Sequence, residues 1–84
     1  MDEREAMIRA ILDQAVSLLS EKEREEVLAF VDAGEYGVAV ETLCDIIREE
    51  GKVVPIALAE ELRALGLRMG MELSTFDGID EGGS

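Results

Sequence analysis

The stretch VDAGEYGVAVETLCDII, residues 31–47, decides how the chain turns from one helix into the next. Gly34 stands where a helix should stop, since glycine enters the left-handed conformation with no Cβ penalty. Glu35 follows at the start of a new helix, where the exposed N–H groups and the helix dipole favour a negative charge. Gly37 is unusual in a first turn. It costs up to ~1 kcal/mol against alanine, and close approach of another backbone is the expected compensation. Beyond it, Tyr36, Val40, Leu43 and Ile47 recur at helical spacing on one face. Glu41, Asp45, Arg48 and Glu49 share the opposite face. Cys44 lies at the edge of the apolar stripe, and Gly51 ends the helix.

Towards the N-terminus, two further helices are expected. Asp2 can cap the first, with Glu5 three places on in a capping-box relation. Ile8, Ile11, Leu12, Ala15 and Leu19 form its apolar stripe, giving bounds from Asp2 to Leu19. Ser20 and Glu23 repeat the capping pattern, so the first helix is broken there and a second runs to about Ala33. Its inner face is Val27, Phe30 and Val31, flanked by Leu28. Towards the C-terminus, KVVP (residues 52–55) is an extended link, because a residue before proline is steered away from helix. Pro55 suits the first turn of a fourth helix, which carries Leu58, Leu62, Leu65 and Met69 inward and ends at Gly70. No β-strand pattern of any length is visible.

The fold expected is all-α: a small bundle of about four helices with short links over residues 1–70, followed by a mobile acidic tail over residues 71–84. The alternative for the tail is a short strand or arm lying on the bundle through Phe76 and Ile79. A single domain accounts for all 84 residues, and a domain of that size has a thin core. Hydrophobic residues are 48% of the chain, too many for a disordered acidic polymer.

Composition excludes several functions. There is no histidine, hence no ordinary proton shuttle at neutral pH and no imidazole ligand for a metal. The single cysteine forms no internal disulfide, and its position favours packing over nucleophilic chemistry. Carboxylates at helical spacing on polar faces are ordinarily solvated surface. The chain is therefore expected to have no catalytic residues and no cofactor. No apolar run reaches the length of a membrane span, the N-terminus lacks the pattern of a signal peptide, and the cytoplasm is the default compartment. A formal net charge of −12 disfavours nucleic acid and anionic lipid and favours basic partners. Only residues 52–70 escape it, Lys52, Arg63 and Arg68 outnumbering Glu60 and Glu61.

The segment from residue 25 to 71 resembles the small immunity proteins of bacterial polymorphic toxin systems, in particular the MafI and contact-dependent growth inhibition (CdiI-like) families. The matching features are Gly34-Glu35 at a helix junction, Ala39, Glu41 and Leu43 in the next helix, and Leu62, Leu65 and a terminal Gly70 in the last. The resemblance implies a protein that binds a cognate toxin C-terminal domain in the cytoplasm. Many such toxins are nucleases, often ribonucleases, and the immunity protein blocks the active site or substrate channel. Size, acidity and helix number also resemble acyl carrier proteins, but no serine here follows the aspartate that family uses to carry its prosthetic group.

Charge leads in the same direction as the immunity families. A nuclease holds phosphates in a basic cleft, and a face of carboxylates competes for it and speeds encounter. Glu41, Asp45 and Glu49 are expected to face the partner, joined by Asp32 and Glu35 at the junction. Tyr36 is either an aromatic anchor for that partner or a core residue with its hydroxyl at the rim. Ile56, Leu67 and Met71, apolar but off the main stripe, suggest a homodimer. A small acidic interaction or regulatory module with no toxin partner is the alternative.

Overall fold

A computed structural model describes residues 2–82, with Leu73, Asp80 and Glu81 described by backbone alone. Four helices carry the fold: α1 (Glu3–Gln14), α2 (Glu21–Asp32), α3 (Tyr36–Glu50) and α4 (Ile56–Arg68). Between α3 and α4 lies strand β1 (Val53–Pro55). After α4 come a 3₁₀ turn (Leu73–Phe76) and strand β2 (Asp80–Gly82). α2 packs on α3, and α1 packs on α4 while touching both α2 and α3.

Local signals set most of the helix ends. Ser20 accepts a hydrogen bond from the Glu23 N–H at 3.1 Å, and the Glu23 carboxylate accepts one from the Ser20 N–H at 2.9 Å, closing a capping box. That cap needs Ser20 in extended backbone, so α1 cannot continue into α2. The break expected at Ser20 is therefore present, but α1 stops at Gln14 rather than Leu19. Residues 15–19 form turns that still bury Ala15 and Leu19. At the far end of α2, Gly34 has φ 77°; its N–H donates to Val31 O at 3.0 Å and the Glu35 N–H donates to Phe30 O at 2.9 Å. This doubled hydrogen bond satisfies two terminal carbonyls, and the chain repeats the device after α3 and α4.

Three local expectations are corrected. Asp2 does cap α1, through the Arg4 N–H at 2.8 Å. Glu5, however, does not reach back to it. Its carboxylate accepts from the Arg9 guanidinium at 3.0 Å and from the Tyr36 hydroxyl at 3.4 Å. Pro55 is the residue before α4 rather than part of its first turn, with ψ 141° placing it at the end of β1. Gly37 meets no neighbouring backbone: a β-carbon built there has nothing within 4 Å.

The core lies where the expected stripes converge: Ile8, Ile11 and Leu12 from α1, Val27 and Val31 from α2, Val40, Leu43 and Ile47 from α3, and Leu58, Leu62 and Leu65 from α4. Phe30 and Met69 are only partly buried at its edge. Residues 71–82 take the arm form rather than that of a free tail. Phe76 is 3% exposed, and Ile79 packs partly against the core. β2 pairs parallel with β1, in the register Val53 to Asp80, Val54 to Glu81 and Pro55 to Gly82. A short strand is the alternative expected for the tail; its partner β1 is expected only as an extended link, because three residues are too few to show alternation.

Two glycines inside helices should respond oppositely to alanine. The β-carbon of Gly66→Ala would fall 2.4 Å from the Phe76 ring. Overpacking of this kind costs about 1–3 kcal/mol. Gly37→Ala meets open space and should gain about 0.5–1 kcal/mol from lost backbone entropy. Urea midpoints of the two variants are expected to move in opposite directions from that of the parent.

Candidate functional site

The outward stripe of α3 sets Glu41, Asp45 and Glu49 one turn apart, and all three are exposed. They do not stand alike. Asp45 accepts a close hydrogen bond from Arg48 Nη2, one turn along the same helix. Among the described residues, neither Glu41 nor Glu49 has an ion-pair partner. Arg48 also donates through Nη1 to the Thr75 carbonyl at 2.6 Å and the Asp77 carbonyl at 3.1 Å. One guanidinium thus pins the arm to α3 and offsets one of the three carboxylates.

The arm widens this face. Gly37 and Glu41 of α3, with Met71, Glu72 and Thr75 of the arm, line an open depression of about 290 Å³. The absent side chain of Gly37 helps to open it, which gives that glycine a role other than backbone approach. Glu72 therefore joins the acidic face, with its carboxylate 3.4 Å from the Ser74 hydroxyl. Sequence reasoning missed Glu72 because its segment has no helical period to place it. Met71, grouped with Ile56 and Leu67 from the sequence, instead lines this depression and packs partly against the core.

The other expected residues sit apart from that stripe. Asp32 pairs with Arg9 of α1 at 2.8 Å, and Glu35 is exposed at the N-terminus of α3. Tyr36 is half-buried against α1, with Arg4 4.8 Å from its ring centroid and its hydroxyl donating to Glu5. Burial first, and then the Asp2 and Glu5 carboxylates, raise its phenol above the ordinary range. Its ring lies on the α1 side of α3, roughly 140° around the helix from Glu41 at about 100° per residue. The structure therefore keeps Glu41, Asp45 and Glu49 in one row, sets Glu72 beside Glu41, and leaves Asp32 and Tyr36 in a separate cluster with α1.

Cys44 is fully buried, and desolvation pushes its thiol up to about 11. At neutral pH it is a protonated, apolar filler rather than a nucleophile. Among the described residues, no three His, Cys, Asp or Glu side chains are placed to hold a metal ion, and no helix is long and apolar enough to cross a membrane. No family model, curated protein or solved structure matches the chain.

A second acidic contact joins the start of α2 to the end of α3. Glu23 is held low chiefly by the Ser20 N–H, whereas Glu50 is raised by its hydrogen bond to Glu23 and the charge on it. A carboxyl raised in the folded state contributes stability below its unfolded value, near about pH 4, and loses it as pH rises through the folded value. Glu50→Gln is therefore expected to raise Tm at neutral pH. Thermal melts at falling pH should show the advantage over the parent disappearing once Glu50 is protonated in both states.

Proposed function

We propose that this protein is an immunity protein. It binds a basic toxin domain, a nuclease, in the cytoplasm and covers its phosphate-binding cleft with the acidic face of α3 and the arm. The observation that carries the proposal is the row Glu41, Asp45 and Glu49, exposed along one side of α3 and continued by Glu72. Carboxylates so spaced stand in for successive phosphates, and Glu41 and Glu49 are paired to no cation among the described residues. The protein acts by binding and performs no catalysis of its own. Asp32, Glu35 and Tyr36 lie at the margin of this contact rather than at its centre.

The test starts from the neighbouring reading frames: a large secreted protein encoded there supplies its C-terminal domain for co-expression with this chain. The unaltered protein is expected to restore growth and to form a complex whose association slows as salt rises. E41K/E49K should slow association by roughly tenfold or more at low salt. E25K/E26K, an equal charge change at exposed positions of α2, should leave it nearly unchanged. Equal loss from both variants would show that net charge, not this face, governs binding; absence of any protection by the unaltered chain would overturn the toxin reading.

A further inference from the structure

The outward stripe of α4 is complementary to itself read from the opposite end. Ile56, Glu60, Arg63 and Leu67 lie within about 60° of one another on a helix that turns about 100° per residue. Along the chain they run apolar, acidic, basic, apolar, symmetrically about the point between Glu61 and Leu62. Ile56 and Leu67 are 43% and 64% exposed, large apolar surfaces with no internal role. Glu60 is exposed and Arg63 half-exposed. Arg63 is engaged within its own chain, but a guanidinium has donors to spare for a second carboxylate.

We propose that α4 is a homodimerisation surface, two copies packing their stripes antiparallel about a two-fold axis. In that arrangement Ile56 meets the partner's Leu67 and Glu60 meets the partner's Arg63, each contact occurring twice by symmetry. A second copy is the occupant that fits because the stripe complements itself. Charge agrees. Residues 52–70 are the one segment of this −12 chain with no acidic excess, so two copies meet there with least repulsion. Val53, 56% exposed, is a further uncovered apolar side chain in the strand just before α4. The stripe borders a shallow groove of about 300 Å³ between α1 and α4, lined by Met7, Ala10 and Ala64 among others. A contact of this size lies near or below the ~1,200 Å² at which stable interfaces begin, so the dimer exchanges with monomer as concentration changes. The inference does not rest on the toxin reading, and it leaves the α3 face open.

Sedimentation velocity over a concentration series tests it, with circular dichroism confirming that each variant folds. The parent chain should move from monomer to dimer. E60R places two cations opposite each other and R63E two anions, so each alone should weaken dimerisation roughly tenfold or more. An equimolar mixture of the two should pair more tightly than either by itself, and the double variant E60R/R63E should dimerise like the parent. A parent that stays monomeric throughout, or a mixture that pairs no better than its components, overturns the proposal. L67S supplies a charge-neutral check and should also be monomeric.

Discussion

The ring of Phe76 fills the space that a β-carbon on Gly66 would occupy, and the rest of the C-terminal third follows from that fit. A four-helix core of this size is thin, and α4 alone leaves its outer side open. The missing side chain at Gly66 lets an aromatic ring seat directly on the helix backbone. Once Phe76 is seated, the 3₁₀ turn lies against α3 and α4, and β2 reaches β1. The arm is therefore part of the hydrophobic body rather than an appendage. The depression beside Glu41 exists because the arm forms one of its walls.

Charge is arranged around that body in two ways. Surface ion pairs tie elements together: Arg9 to Asp32, Arg24 to Asp13, and Arg68 to Glu3. Exposed pairs of this kind are each worth little, typically ~0–1 kcal/mol, so their larger effect is to neutralise acids along α1 and at the end of α2. The one cation within α3 itself is Arg48, and most of that guanidinium's hydrogen bonds go to the arm. The result is a molecule with one strongly negative side, formed by α3 and the arm, and one nearly balanced side, formed by α4. A small protein with two such unlike faces can meet two different surfaces without either contact blocking the other.

Most of the helical frame was legible in the residues. Ser20 with Glu23, and the glycines at positions 34, 51 and 70, are chemical instructions read within a few residues of themselves, and the apolar stripes of α1, α3 and α4 converge as their spacing indicates. What could not be read depends on contacts between distant segments. Glu5 satisfies Arg9 and Tyr36 rather than the Asp2 backbone because α3 happens to lie within its reach. Glu72 and Arg48 acquire their places only when the arm docks. Of the two readings of Tyr36, the structure fits the core one, with its hydroxyl at the rim. Its spacing marked it as core-facing, and the structure keeps it on that side, away from the carboxylates it was grouped with. The outward acids were legible by periodicity alone, since a solvated helical face needs no tertiary partner to define it.

The parallel pairing of β1 with β2 also fixes the path of the backbone at its two extremes. Gly82 lies beside Pro55, where α4 begins, while Glu3 is bound to Arg68, where α4 ends. The first and last described segments are thus tied to opposite ends of one helix, and those ends lie about 20 Å apart at about 1.5 Å per residue. A pair of fluorescent labels at those two sites would be held at a separation set by α4. Detachment of β2 would alter that distance while the four helices stayed intact, giving an optical readout of the arm alone.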